Sequence, residues 1–187
     1  MDRILVASSN DKATAMLVSL LKETFPTCKT SIAATGLETR RAVGSGSYDC
    51  VVINCPLSDE YGNELAEIVC TSTDASCVAI AKSDILADKL EDFGVMVIPK
   101  PLGRQYFYRS MKFVSAARKR MLGIRSENLK LHKKLEEIRT INRAKCSLMQ
   151  YLGFTEQQAH KYLEKQAMDK RCTKIEVAQK VIEMYEV

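Results

Sequence analysis

Hydrophobic residues follow two different rhythms along the 187-residue chain. Over roughly the first hundred residues, short apolar and β-branched runs recur at regular intervals: Ile4–Ala7, Thr30–Ala33, Cys50–Asn54, Cys77–Ala81 and Val95–Pro99. Runs this short and this uniformly apolar predict strands buried on both faces of a parallel sheet. Between them the apolar positions take helical spacing. Asn10 or Asp11 is placed to cap a helix carrying Ala15, Met16, Leu17, Leu20 and Leu21. The segments near 37–45, 61–70 and 84–92 follow the same logic. A fifth helix, starting near Gly103–Arg104, carries Tyr106, Phe107, Met111, Phe113 and Val114. Five such repeats predict an α/β fold, a doubly wound five-stranded parallel sheet with right-handed crossovers.

The second rhythm is longer. From Arg104 to Tyr151 there is no Pro, and the one Gly is Gly123. A heptad places Met121, Asn128, Leu135 and Asn142 at a, and Ile124, Leu131, Ile138 and Lys145 at d. This predicts a short coiled-coil helix, with Met121, Ile124, Asn128, Leu131, Leu135 and Ile138 as the dimerisation seam and Asn128 fixing its register. A single amphipathic helix packed on its own domain is the alternative. Gly153 then reads as a helix stop. Thr155 starts a new helix with Gln158 in capping-box position, and Ala159, Tyr162, Leu163, Gln166 and Ala167 form its apolar stripe. The link Lys170–Arg171–Cys172 leads to a second cap, Thr173, and a last helix carrying Ile175, Val177, Ala178, Val181, Ile182 and Met184. The expected organisation is a sheet domain over 1–120, a coiled-coil linker over 121–142, and a small all-α three-helix domain over 143–187.

Charge sharpens that division. Residues 1–100 hold nine Lys and Arg against fourteen Asp and Glu, a net −5; residues 101–187 hold nineteen against nine, a net +10. A basic half points to a polyanionic partner, most economically nucleic acid, or else to a Lys-rich solvated surface. The seven cysteines include no CxxC pair, and the two histidines are not spaced with them as zinc ligands. Buried reduced thiols are the expectation, with no metal and no cofactor. No apolar run approaches a membrane span, and the five-residue run near the N-terminus is too short for a secretory signal. A cytoplasmic location is therefore expected.

Ligands of doubly wound sheets bind beyond the carboxyl ends of the strands. Here those positions hold Ser8 and Ser9 after the first strand, Asn54 ending the third, Lys82 after the fourth and Lys100–Pro101 after the fifth. RILVASSND, YDCVVIN with Gly62 eight residues after Asn54, and FGVMVIPKP together resemble the receiver domain of two-component response regulators over about residues 1–120. The resemblance implies a phosphoacceptor pocket, and its departures imply a degenerate one. Ser8 and Ser9 stand where receivers carry a magnesium-binding acidic pair. Asn54 replaces the phospho-accepting aspartate, Lys82 replaces a Ser or Thr, and Lys100 alone matches. An amide has no anionic oxygen with which to attack phosphorus, and hydroxyls substitute poorly for carboxylates around a hard cation. A Ser–Lys catalytic pair from Ser8, Ser9 and Lys82 is a weak competitor without an oxyanion-hole motif, and no enzymatic activity is expected.

The tail resembles the ANTAR domain, the RNA-binding output module of transcription antitermination regulators. The resemblance runs through R-A-K-C-S-L-M (143–149), T-E-Q-Q-A-H-K-Y-L (155–163), Q-A-M-D-K-R (166–171) and I-E-V-A-Q-K-V-I (175–182). Ala144, Lys145, Leu148, Met149, Ala159, Leu163, Ala167, Met168, Val177 and Ala178 match the family pattern; Cys146 and His160 depart from its usual Gly and aromatic. Ala144, Leu148, Met149, Leu163, Ala167 and Val177 are expected in the core, with Tyr162 divided between core and ligand. Arg143, Lys145, Lys161, Lys165, Lys170, Arg171 and Lys174 are candidate phosphate contacts, and His160 a stacking group. The resemblance implies binding to hairpins in nascent mRNA by a homodimer, with a regulatory protein or ligand acting on the receiver-like domain. A DNA-binding regulator or a protein-interaction module are the alternatives. The first is disfavoured by the final helix, whose Lys174 and Lys180 face three glutamates.

Overall fold

The computed structural model describes residues 1–82 and 90–185. They form two compact units, 1–121 and 122–187.

In the first unit the strands are β1 (Arg3–Ala7), β2 (Lys29–Ala33), β3 (Cys50–Asn54), β4 (Ser76–Ala81) and β5 (Met96–Pro99). They pair in parallel in the order β2-β1-β3-β4-β5. The helices between them are α1 (Asp11–Thr24), α2 (Gly36–Ser45) and α3 (Asn63–Ser72). The helix expected near 84–92 falls largely outside the described residues. A long helix, α4 (Arg104–Leu152), follows β5.

Burial follows strand order. Every residue of β3 is buried, as are four of five in β1 and five of six in β4. The edge strands depart from the expectation of two covered faces. In β2 only Ala33 is buried and Ile32 is 60% exposed; in β5 only Ile98 is buried. One face of the sheet packs Leu5, Val51, Ile53 and Ala79 with Leu65, Ala66 and Val69 of α3. The other packs Ile4, Val6, Val52 and Ile80 with Leu17 and Leu21 of α1 and Phe107, Met111 and Val114 of α4. Ala15 and Met16 of α1, and Tyr106 and Phe113 of α4, are exposed instead of joining this core.

The local signals behind these elements are specific. The Asn10 side chain caps α1, accepting from the Ala13 N–H at 3.0 Å. Thr35 caps α2 by accepting from Glu38 N–H at 3.1 Å. Gly62 opens α3 at φ +103°, and a Cβ there would lie 3.0 Å from Cys55 Sγ and 3.1 Å from an Ile53 methyl. Both the backbone and the space require glycine at that position.

The second unit is the C-terminal part of α4 with α5 (Glu156–Asp169) and α6 (Lys174–Tyr185). Gly153 ends α4 at φ +67°, the left-handed geometry that a helix C-terminus favours. Thr155 and Gln158 form a reciprocal capping box on α5. Thr173 and Glu176 do the same for α6: Thr173 N–H donates to Glu176 Oε2 at 2.8 Å, and Glu176 N–H to Thr173 Oγ1 at 3.3 Å. Ala144, Leu148, Ala159, Leu163, Ala167, Val177, Ala178 and Val181 make the core. Met149 and Met184 lie outside it, 41% and 69% exposed.

All seven cysteines are free, but Cys146 is exposed, and Cys70 and Cys172 are half-buried rather than buried. Among the described residues no helix is long and apolar enough to cross a membrane.

Candidate nucleic-acid interface and receiver-like cleft

The carboxyl end of the sheet brings the five pocket positions onto one rim, because β1, β3, β4 and β5 are parallel neighbours. Asn54 is buried, and its Nδ2 donates to Ser8 Oγ at 3.1 Å. Ser8 Oγ in turn donates to Asn10 O at 3.4 Å. Ser9 Oγ donates to Ala34 O at 2.5 Å and accepts from Ser58 N–H at 2.8 Å. Its hydroxyl thus ties together the loops after β1, β2 and β3. Lys100 Nζ donates to Cys55 O at 2.6 Å. Both serine hydroxyls donate to backbone carbonyls, and among the described residues neither is hydrogen-bonded to a lysine.

Lys82 and Lys100 line a cleft of about 780 Å³ with Asn54, and Met16, Leu17 and Leu102 supply apolar wall. Burial pulls the Lys100 ammonium below its ordinary value; the nearby Cys55 thiol opposes this and Lys82 adds to it by like-charge repulsion. Burial pushes the Cys55 thiol up to about 11, against the pull of Lys100. The lining described contains no carboxylate. Receivers hold Mg²⁺ at this rim, and this donor set does not fit that ion: a hard divalent cation requires anionic oxygens and meets two ammonium groups instead. Among the described residues no group of three or more His, Cys, Asp or Glu is arranged to hold a metal.

In the second unit, polar side chains cover the helical core. Lys161 and Lys165 lie one turn apart on α5 and share its outer face, with Lys170 and Arg171 in the link that follows. All four are exposed. Arg171 holds φ +48°, and its N–H donates to Met168 O at 3.2 Å. The link turns sharply there, and its cations are exposed. Arg143 is exposed on α4.

Lys145, Lys174 and His160 have protein partners. The Lys145 side chain is only 14% exposed and pairs with Glu156 at 2.9 Å. Lys174 Nζ reaches Glu164 Oε1 at 2.5 Å, and His160 Nε2 lies 3.2 Å from the same oxygen. Lys145 and Lys174 hold the Glu156 and Glu164 carboxyls below their ordinary value. Lys145 therefore does not stand open to solvent as a simple phosphate contact, whereas Lys174 is paired but still 43% exposed. Sequence reasoning missed these acids because their partners lie ten or eleven residues away on another helix. It also missed two ring pairs: Tyr151 stacks on Tyr185 at 5.4 Å, and Tyr162 meets Phe154 edge-on at 5.8 Å. Tyr162 remains 36% exposed and so belongs partly to each of its two expected roles.

Met121, Ile124, Leu131, Leu135 and Ile138 are 46–67% exposed, and Asn128 is exposed with them. Lys145, the last d position, leaves this open seam and packs beside Glu156.

Comparison with known proteins matches both parts. A model of the ANTAR domain matches residues 129–182. A two-component response regulator from Clostridium difficile superposes with a TM-score of 0.56 at 20% identity, over 62% of this chain and 97% of that one. The signal receiver domain of a putative Luxo repressor protein from Vibrio parahaemolyticus gives 0.58 at 15% identity, over 66% and 96%. Response regulator TrrA from Thermotoga maritima, in complex with Mg²⁺-BeF, gives 0.53 at 22%, over 61% and 99%. At these identities the structural likeness establishes the fold alone. No curated protein matches the sequence. Residues 129–182 thus match the ANTAR domain, and the unit ahead of them has the fold of receiver domains.

Proposed function

We propose that this protein is a response regulator and transcription antitermination factor that binds hairpins in nascent mRNA through its C-terminal head. It would act in the cytoplasm as a homodimer and perform no chemical step. The observation carrying this reading is the ANTAR match over a head whose exposed cations, Lys161, Lys165, Lys170 and Arg171, surround a closed apolar core. Phosphate contacts of this kind supply affinity and salt dependence. The domain division into 1–120, 121–142 and 143–187 gives the linker helix the task of pairing two heads. Its seam of exposed apolar residues has the a/d spacing of a two-stranded coiled coil. Two linked heads engage paired hairpins with the avidity that effective concentration provides.

The receiver-like domain is proposed not to accept phosphate. Asn54 presents an amide hydrogen-bonded to Ser8 where a nucleophilic carboxylate is needed. Control then passes to a protein or ligand on this domain. A gel shift with tandem RNA hairpins across a salt series tests the output. Preference for tandem hairpins over unrelated RNA, weakening as salt rises, is the expected result; equal affinity for both defeats the proposal.

A further inference from the structure

Replacement of three acidic positions changes the sign of the rim as well as its chemistry. Ser8, Ser9 and Asn54 are neutral, and Lys82 and Lys100 face the cleft with no carboxylate in the described lining. Such a site repels Mg²⁺ and attracts an anion. It is also partly apolar: Met16, Leu17, Pro56 and Leu102 line the same cleft. Inorganic phosphate would leave that apolar surface uncovered. The cleft, about 780 Å³, has the size of a small-molecule site, and its few convergent polar groups beside apolar walls fit that use.

From this geometry we infer that the cleft is a binding site for a small organic anion, its carboxylate or phosphate against Lys82 and Lys100 and its apolar body against Met16 and Leu102. The inference rests on the reading of the domain as one that takes no covalent phosphate. Lys100 spends one N–H on Cys55 O and keeps two for the ligand. Asn54 gives one N–H to Ser8 and keeps a second, together with its carbonyl oxygen. Lys82, exposed at the mouth, supplies long-range attraction with little structural cost if removed. The resulting device exchanges a covalent anion on residue 54 for a diffusible one held by the same end of the sheet.

Calorimetric titration of the full chain at constant ionic strength tests it, with phenyl phosphate, benzoate, inorganic phosphate and benzyl alcohol as probes. The two aromatic anions separate a phosphate from a carboxylate ligand. At least one is expected to bind about tenfold more tightly than inorganic phosphate, with no measurable binding of the alcohol. Lys82→Gln should weaken that anion about fivefold. Met16→Gln should bring it towards the affinity of inorganic phosphate while leaving inorganic phosphate unchanged. Both side chains are exposed, so neither variant threatens the fold. Absence of heat from both aromatic anions, or binding indifferent to Lys82→Gln, overturns the inference. Intact mass recorded after acetyl phosphate treatment keeps the two readings apart. Added phosphate on Asn54 would defeat the unphosphorylated receiver, whereas unchanged mass without anion binding would defeat only the ligand site.

Discussion

The two ends of this molecule handle charge in opposite ways. At the carboxyl end of the sheet, positions that face one another carry Ser8, Ser9 and Asn54, and the gap is closed by neutral hydrogen bonds. The hydroxyl–amide contact between Ser8 and Asn54 joins these positions without an ionised group. In the head, charge is kept and sorted. Glu156 and Glu164 pair with Lys145 and Lys174 across helices, and Lys145 is largely covered, while Lys161, Lys165, Lys170 and Arg171 are exposed. The contrast separates two uses of a polar side chain. Groups paired inside a domain hold it in shape; groups left open on its surface are available to a polyanion.

The largest effect expected from breaking this contrast is all-or-none. Treatment with acetyl phosphate and Mg²⁺ should leave the intact mass of the protein unchanged. A phosphoryl adduct at Asn54 would erase the distinction between the neutral hydrogen bonds of the rim and the charges kept in the head. Next in size, changing Lys161, Lys165, Lys170 and Arg171 together to Gln should weaken tandem-hairpin binding about a hundredfold. It should also flatten the slope of log affinity against log salt by about 3. The paired Lys145 and Lys174 serve as the internal comparison, and their loss should destabilise the head more than it changes the slope.

A smaller effect is expected from the helix. Leu131→Asp with Leu135→Asp places charges on a seam whose residues are 57% and 51% exposed in the single chain. Sedimentation should then report a monomer, and the advantage of tandem over single hairpins should fall by about tenfold or more. Retention of the dimer would move the interface elsewhere. The smallest effect should come from Glu156→Gln with Glu164→Gln. Releasing Lys145 and Lys174 should strengthen RNA binding by about twofold to fivefold. Both carboxyls sit below their ordinary value, so they remain ionised through neutral pH. Whatever stability they lend is present above the unfolded carboxylate range and lost as pH falls through the lower folded values. RNA affinity should therefore not respond to these acids between pH 6 and 8, roughly.

Much of this was legible because its causes are local. Asn10, Thr155 with Gln158, and Thr173 are caps whose partners lie three residues ahead. Gly153 closes a helix within one turn. The runs CVVIN and ILVA are buried because β3 and β1 sit inside the sheet. Ile32 has the same character yet is 60% exposed, because β2 is an edge, and strand order is a property of the whole fold rather than of that run. The rim positions could be read from the ends of strands, but the bridge from Ser9 to Ala34 and Ser58 joins residues 25 and 49 positions away. In the head the basic residues were visible as composition. Which of them are neutralised depended on Glu156 and Glu164 crossing between helices, and no periodicity encodes that.

The central claim is that the open cations of the head recognise folded RNA. Competition anisotropy on the full chain tests it most directly, with labelled tandem RNA hairpins displaced by unlabelled hairpins or by duplex DNA of equal length. The expected result is that duplex DNA competes at least about tenfold less well than the hairpins at physiological salt. Equal competition by the two would contradict the account and leave the head a general polyanion binder.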